Sequence, residues 1–538
     1  MLPVWFKQSN AYKGVRKTAS TMEQLLLLGE YALLADRKRK EERLAQISQM
    51  PHSNGSRYYR RLPLRIGIVA DAFLFQSYFP TAEMIYLTPE NWERVLPSLD
   101  CVIVTSTWHG LNQEWTGASI PGTAIAEELC RRMQETRRRG CPILFYSKED
   151  PPNFSCFQEY AKRADCIFTS ARECVPKYQA MCPGTPVKTL PFAVSPTIYN
   201  PIGMRPLSGE KDILFAGSWM KKYPNRVKEQ KQLFEWVRKA GFSLEIADRN
   251  YEKYSLRYRY PLRYVRHVMP SFSYVQLADL YKIYNWNLNF NSVTTSADMF
   301  SMRVYDTLSC GTLLLSNGSI GMEKKFPQVF AVRTFEDLWQ ALHLPVEVLE
   351  QRRLAGIRQA LRIGTVYERM EFMLNSLGIA ASAAEDGTVG VVLGNSVTDV
   401  VRYREMFDAQ TYEKKCWIAS SDDFQAMENC DMIALWGPNR VYGPYYLEDM
   451  VNAFKYTDCD YITKGTPRGK SLIHNYTGEI IDPFSTIFWK RSYFEIAKEL
   501  HSGPCRKKNG YVSDLGNYTV YREFAGNSVR GGAKFERN

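Results

Sequence analysis

No apolar run in the 538 residues reaches the roughly 18 consecutive positions that a membrane-spanning helix needs. The N-terminus has no basic-then-apolar stretch followed by a cleavage site, which argues against secretion. Histidine is scarce, at six residues, and the twelve cysteines are scattered without the paired spacing of a metal site. Several, such as Cys101, Cys166 and Cys310, sit in apolar runs where reduced buried thiols belong. A reducing, cytoplasmic compartment is therefore expected. Acid is also in short supply. Against 69 Lys and Arg there are 57 Asp and Glu, a net charge of +12. That balance favours anionic partners: nucleotide phosphates, acidic glycans, anionic lipid or nucleic acid. No RNA- or DNA-binding module signature appears, which disfavours the last of these.

What is present is ordinary for a globular protein of about three or four domains: 45% hydrophobic and 23% charged residues. Residues 1–60 read as a helical segment and linker. Thr21 to Met50 has an apolar half and then a charged half, DRKRKEERLAQ. The charged half reads as a solvated helix face, with a docking helix or contact with anionic lipid as the alternatives. Residues 61–200 alternate buried strands (LRIGIVA, CVIVTS, PILFYS, CIFTS, VKTLPF) with helical patterns such as Gly122 to Arg139. Strands alternating with helices imply a doubly wound parallel sheet, whose ligands lie past the carboxyl ends of the strands. Three strand-end loops there carry candidates: Asp71, then TSTWHG with His109, then SKEDPPNF with Glu149 and Asp150. A neutral imidazole at His109, or a carboxylate at Glu149 or Asp150, suits a general base near physiological pH.

A Pro- and Gly-rich linker, 190–212, precedes a second α/β domain at 201–380. Its first strand runs into Gly217 and Ser218, followed by Lys221, Lys222 and Arg226. Further on, Asn250 to His267 interleaves basic residues with tyrosines, a composition able to stack on a base or sugar, or a plain surface excursion. The most informative stretch is NFNSVTTSADMFSMRVYDTLSCGTLLLSNGSIGM, from Asn289 to Met322. It reads as strand, polar loop, helix from Met302 to Ser309, Gly turn at Gly311, and strand. Free N–H groups at a helix start make an anion site, and Arg303 adds a fixed positive charge there. Asp298 and Asp306 lie just over two turns apart if the helix starts early, so both then face one pocket.

This stretch resembles the donor-nucleotide motif of GT-B glycosyltransferases, in the "glycosyl transferases group 1" branch that includes CgeB-like spore and cell-envelope proteins. Asn289, Asn291, Met299, Phe300, Arg303, Val304, Cys310, Gly311, Leu314 and Ser316 fit that pattern. Asp298 and Asp306 stand where the related retaining enzymes have two Glu. The F-x-G-S-W…Y-P-x-R block (Gly217 to Arg226), the G-x-x-x-x-W block (Gly110 to Trp115) and the E-D-P block (Glu149 to Pro151) also resemble the family's. The resemblance implies two Rossmann-like domains around a hinged cleft, with the donor on one wall and the acceptor on the other. It assigns Gly217, Ser218, Lys222, Arg226, Asn291 and Asp306 to the nucleotide sugar, with Asp306 on the ribose. Asp71, Gly110, Trp115 and Glu149 go to the acceptor. His109, Asp150, Asp298 and Arg303 go to catalysis.

Beyond a second linker, GIAASAAEDG, residues 385–538 resemble the start of a GT-A (family 2-type) domain, in the segment VYGPYYLED. Where such enzymes carry an acidic metal-binding triplet, this chain reads Leu435 to Arg440 without an acid. A hard cation needs several oxygen ligands. A degenerate, truncated copy is therefore expected, serving to bind a glycan or partner or to scaffold a homodimer. The whole sequence thus reads as an α/β, GT-B, metal-independent glycosyltransferase with no cofactor. It would move sugar from a UDP-, GDP- or similar donor to a glycan, lipid-linked or protein acceptor in cell-envelope polysaccharide synthesis, in the cytoplasm or on the inner face of the membrane. The rival reading is an inactive glycan-binding or scaffolding relative.

Overall fold

The computed structural model describes Gly29 and residues 31–520, except residues 254, 421, 465–472, 481, 501–504 and 515. The chain divides into two compact units, one of residues 1–50 with 205–353, the other of 51–204 with 354–538. The fold is α/β with Rossmann-like parallel sheets.

In the second unit, β1 (Leu62–Val69), β2 (Ala82–Tyr86), β3 (Cys101–Thr105), β4 (Ile143–Ser147), β5 (Cys166–Thr169) and β6 (Val187–Thr189) form an all-parallel sheet in the order 2-1-3-4-5-6. CVIVT and ILFYS are buried along their whole length, as strands covered on both faces must be. The helix Ala124–Arg138 is capped by Thr123, whose side chain accepts from Ala126 N, and ends in Arg137 and Arg138, which favour a helix C-terminus. The last strand stops at Thr189 rather than running through Phe192, because Pro191 has no N–H for a ladder. Strand order reverses between β1 and β3, so the loops after these strands, at Asp71 and Trp108 to Gly110, flank the crevice where such sheets bind ligands.

In the first unit, β7 (Asp212–Gly217), β8 (Ser243–Asp248), β9 (Val268–Met269), β10 (Trp286–Asn289), β11 (Leu313–Ser316) and β12 (Phe330–Ala331) are again all parallel, in the order 12-11-10-7-8-9. This is the dinucleotide-fold order, with its switch between β7 and β10. The core joins Ile213, Phe215 and Leu288 of the strands to Leu233, Phe234 and Val237 of the helix Pro224–Lys239.

Among the described residues the N-terminal segment is not one continuous helix, and its charged half is solvated only in part, with Lys38 and Glu42 exposed. Residues before Gly29, and residue 30, lie outside the described part. Residues 31–34 are helical, the chain turns at Ala35 and Asp36, and a helix Arg37–Ile47 follows with Asp36 capping Arg39 N at 2.9 Å. Arg39 and Arg43 reach back to Glu245 of β8 at 2.5 and 2.7 Å, and the Glu245 side chain is 2% exposed. Two cations of the charged run thus serve a buried carboxylate.

The rest of the second unit holds a mixed seven-stranded sheet: β13 (Val389–Leu393), β14 (Lys415–Ile418), β15 (Met432–Trp436), β17 (Tyr461–Thr463), β18 (Asn475–Ile480), β19 (Thr486–Trp489) and β20 (Cys505–Val512), in the order 14-13-15-19-17-20-18. A short antiparallel pair, β16 (Arg440–Tyr442) with β21 (Tyr518–Val520), lies beside it. Residues 51–61, a linker by composition, are packed in this unit: Tyr59 is buried, donates to Glu368 Oε1 at 2.8 Å and stacks on Tyr367 at 4.5 Å. No helix among the described residues is long and apolar enough to cross a membrane.

Candidate functional site

The site in the first unit forms at the carboxyl ends of β7, β8 and β10. β7 ends in Gly217, where a Cβ would stand 2.5 Å from the Phe215 ring, so the position takes no side chain without a shift of that ring. Ser218 follows, buried, and accepts from Asn250 Nδ2 at 2.9 Å. The Gly217 carbonyl accepts from Tyr260 Oη at 3.0 Å. Asn250 N in turn donates to Asp248 Oδ1 at 2.9 Å. Asn250 and Tyr260 belong to the basic, aromatic stretch, and their part in holding this turn is not visible in its composition.

Pro224 opens the helix Pro224–Lys239 and places Arg226 in its first turn. Arg226 Nη1 donates to Ser292 Oγ at 3.3 Å. Burial, and then the neighbouring charges of Arg303 and Arg249, push its pKa down to about 10. Arg303 opens the helix Arg303–Ser309 and donates to Asn289 Oδ1 at 3.1 Å, with its guanidinium 5.5 Å from the Phe215 ring. Among the described residues neither arginine forms an ion pair with a carboxylate. Arg226 thus sits within electrostatic reach of a like charge, Arg303. Several enclosed polar atoms here also lack a partner: Nε of Arg226 and of Arg303, Oδ1 of Asp306 and both amide atoms of Gln230. Gln230 lies one turn after Arg226 on the same helix, and only that i, i+4 spacing marks it in the sequence.

Asp298 and Asp306 do not share a helical face. The helix begins at Arg303, and the loop before it is held by Ser296 Oγ, which accepts from Asp298 N and Met299 N at 3.3 and 3.0 Å. Asp298 is paired with Lys325 at 3.0 Å. Asp306 is buried, and burial pushes its pKa well up although Arg303 draws it the other way. Asn291 is buried too and braces the loop: its Oδ1 accepts from Ser301 N at 2.9 Å and its N donates to Asn317 Oδ1 at 2.6 Å. Lys222 is exposed, with its ammonium 5.5 Å from the Tyr223 ring.

The second unit has its own cluster at the β1–β3 switch. Asp71 Oδ1 accepts from His109 N and Gly110 N at 2.9 and 3.1 Å, and both its oxygens lie 3.1 Å from Trp108 N. Lys148, with its side chain 1% exposed, bridges Asp71 and Glu149 at 3.1 Å each. Burial raises the pKa of Asp71, but Lys148 and the three N–H groups outweigh it and hold the carboxyl below its ordinary value. Gly110 has φ +80°, and a Cβ there would lie 2.4 Å from the Tyr86 hydroxyl. The His109 ring is partly exposed, with Nδ1 3.3 Å from Thr116 Oγ1. Asp71, His109, Gly110 and Glu149 are therefore brought together. Trp115 is brought beside them, its N donating to His109 O at 3.1 Å, but its indole is fully buried beside Trp92 and donates to Leu87 O at 2.9 Å. Asp150 is fully buried and accepts from Thr169 Oγ1 and Tyr178 Oη at 2.6 and 3.0 Å; burial raises its pKa.

Arg440 pairs with Asp482 at 3.0 Å and lies 2.9 Å from Tyr518 Oη. No group of three or more His, Cys, Asp or Glu that would hold a metal ion occurs among the described residues.

The model of a family described as glycosyl transferase-like matches residues 226–375. No curated protein matches. Solved structures show partial likeness at very low identity. An alpha-glucosyltransferase in complex with UDP and DNA is 9% identical, with 59% of this chain and 100% of that one covered, at a TM-score of 0.41. A UDP-forming trehalose-phosphate synthase from Burkholderia xenovorans is 11% identical over 58% and 84%, at 0.35. A trehalose 6-phosphate synthase from Burkholderia multivorans is 12% identical over 54% and 73%, at 0.39.

Proposed function

We propose that this chain is a glycosyltransferase of the GT-B kind that takes sugar from a nucleoside diphosphate sugar bound at the carboxyl end of the β7–β10 sheet. The observation that carries the reading is the pair Arg226 and Arg303: half-buried, near each other, without a carboxylate, at the switch in strand order. A diphosphate supplies the missing anion. As the glycosidic bond breaks, the leaving diphosphate gains charge, and fixed guanidinium groups lower the energy of that state without reorganising. Gly217 lets the backbone approach the phosphates, and Asp306 accepts from the ribose hydroxyls. The family match, which spans Arg226 to Asn375 and so includes Arg303 and Asp306, agrees with this placement.

The acceptor side lies at Asp71, His109 and Glu149, with His109 as the base if the reaction needs one. Acceptors of the glycan, lipid-linked or protein kind in cell-envelope synthesis, a cytoplasmic or membrane-peripheral location, and a degenerate GT-A-like origin for residues 385–538 complete the proposal. The Arg440–Asp482 pair supports that last point, since it occupies the loop where a metal would sit.

A second reading, a glycan-binding protein without turnover, is favoured by Asp298, which is already taken up by Lys325. Incubating the full chain with a panel of UDP- and GDP-sugars separates the two. Slow release of UDP or GDP from one donor supports the enzyme; tight binding without release across the panel supports the binding protein.

A further inference from the structure

A hydrogen-bonded chain leads from the N-terminal segment to the Gly217 turn. Tyr31 is 2% exposed and donates to Asp248 Oδ2 at 2.7 Å, 217 residues away in sequence. The other oxygen, Asp248 Oδ1, accepts from Asn250 N at 2.9 Å, and Asn250 Nδ2 donates to Ser218 Oγ at 2.9 Å. The Tyr31 ring is itself fixed, with the buried Arg259 guanidinium 4.4 Å from its centre and the Tyr251 ring at 5.8 Å. The rest of the segment is fastened to the same sheet. Asp36 N donates to Val268 O at 2.8 Å, Arg39 and Arg43 hold Glu245, and Tyr284 donates to the same carboxylate.

Asp248 ends β8, next to β7, and Gly217 is its register partner. Tyr260 lies within electrostatic reach of both the Tyr31–Asp248 pair and the Arg226–Arg303 pair. A buried carboxylate with two oxygens and two defined donors has one orientation. Without the tyrosine hydroxyl, Asp248 is left half-satisfied and free to rotate, and Asn250 and Ser218 lose the reference that sets them.

We propose that Tyr31 is a positioning residue for the donor site, acting through Asp248 and Asn250 to fix Ser218 and the Gly217 turn against which the diphosphate lies. This makes the N-terminal segment a working part of the donor domain, and it rests on the donor-site reading above.

The test uses the full chain and calorimetric titration with UDP, GDP and ADP, well below the melting temperature. Tyr31→Phe keeps the ring over Arg259 and removes only the hydroxyl. It is expected to weaken the best-bound nucleotide on the order of tenfold, the scale of one hydrogen bond to a charged group. In donor hydrolysis it should raise KM and leave kcat unchanged. Tyr284→Phe is the control: it removes a hydroxyl from the same fastening three residues back along β8, off the chain to Ser218. It should lower the melting temperature and leave nucleotide affinity alone. Unchanged affinity in Tyr31→Phe, or an equal loss in Tyr284→Phe, would overturn the proposal by reducing Tyr31 to a fastening. Arg226→Ala tests the underlying reading separately. If it leaves affinity intact while Tyr31→Phe weakens it, the diphosphate placement fails and the tyrosine relay stands. If the native chain binds none of the three nucleotides, both fail.

Discussion

Arg303 donates to Asn289 Oδ1 at 3.1 Å, while Asp298, five residues before it, is held by Lys325. The first residue of the helix is thus tied to the last residue of β10, and its charge is not spent on that acid. Arg303→Ala should lower turnover on the order of 100-fold, the scale for one stabiliser of developing charge. Some loss of melting temperature is also expected, because the buried Asn289 Oδ1 loses its donor, although Asn289 Nδ2 keeps its bond to Ser316 Oγ. Steady-state kinetics run beside thermal melts decide the matter. A drop in melting temperature with intact turnover would make Arg303 a structural residue.

Asp306 behaves differently because its carboxyl is buried and its pKa is raised. A carboxyl whose folded pKa lies above its unfolded value contributes stability that is present below the unfolded pKa and lost as pH rises through the folded one. Asp306→Asn removes that loss. The variant should melt higher than the native chain at pH 7 to 8, with the gap closing toward pH 4, and should bind nucleotide more weakly because an amide accepts less well than a carboxylate. A variant that melts lower at pH 8 would show that the carboxylate is satisfied in the folded protein.

The αβ units were legible because their signals are local. Cys101–Thr105 and Ile143–Ser147 are apolar runs, Thr123 and Thr334 are good caps, and Gly311 takes φ +74° at the end of its helix. The strand, loop and helix from Asn289 to Ser309 were legible in the same way. What escaped depends on pairs far apart in the chain. No local pattern says that Tyr31 meets Asp248 or that Arg39 meets Glu245. Asp298 and Asp306 would face one pocket only on a helix that started before Arg303, where Ser296 instead bonds the backbone. Trp115 and Asp150 sit within motifs, but a motif does not say which of its side chains turn inward.

Between His109 and Asp150, the two candidate bases, placement predicts opposite phenotypes. The His109 ring is partly exposed, next to Thr116, and its backbone N–H donates to Asp71, whereas Asp150 is sealed against Thr169 and Tyr178. His109→Ala should leave the melt unchanged and lower acceptor-dependent turnover. Asp150→Ala should lower the melting temperature, since the buried Tyr178 hydroxyl loses its acceptor, at about 1–3 kcal/mol, and Thr169 Oγ1 is left with only Ala171 O at 3.3 Å. Turnover lost in Asp150→Ala without destabilisation, and kept in His109→Ala, would reverse the assignment.

On the proposed reading, Arg226 and Arg303 supply the positive charge at the diphosphate in place of a cation. Activity on the best donor of the panel should survive EDTA. Activity abolished by EDTA and restored by Mn²⁺ or Mg²⁺ would mean that a bound cation shares the work of the arginines.

The last prediction concerns a charged cluster in the second unit. Arg358 pairs with Asp449 at 2.7 Å, and both side chains are about nine-tenths buried or more. Lys464 pairs with Asp514 at 3.1 Å and lies 3.9 Å from Asp449. Burial, and then the negative charge of Asp514, raise the pKa of Asp449 to about 7, with Lys464 and Arg358 pulling it back. The sign follows from proton binding. Below pH 7 Asp449 is mostly neutral in the folded chain and has little need of Arg358. Above pH 7 it ionises, and Arg358 is the nearest compensating charge. Arg358→Met should therefore be tolerated better at pH 5 than at pH 8. The stability gap to the native chain should widen by about 1.4 kcal/mol per pH unit above pH 7, the free energy of one proton held by a shifted group. The full cost of breaking such a buried pair is on the order of 3–5 kcal/mol. Asp449→Asn in the Arg358→Met background removes the titrating group, so the widening should disappear. Thermal melts of the three chains from pH 5 to 8 carry the test. A gap that is constant across that range, or that narrows as pH rises, would show that Arg358 stabilises the unit by packing against the Tyr445 ring, 4.1 Å away, rather than by charge.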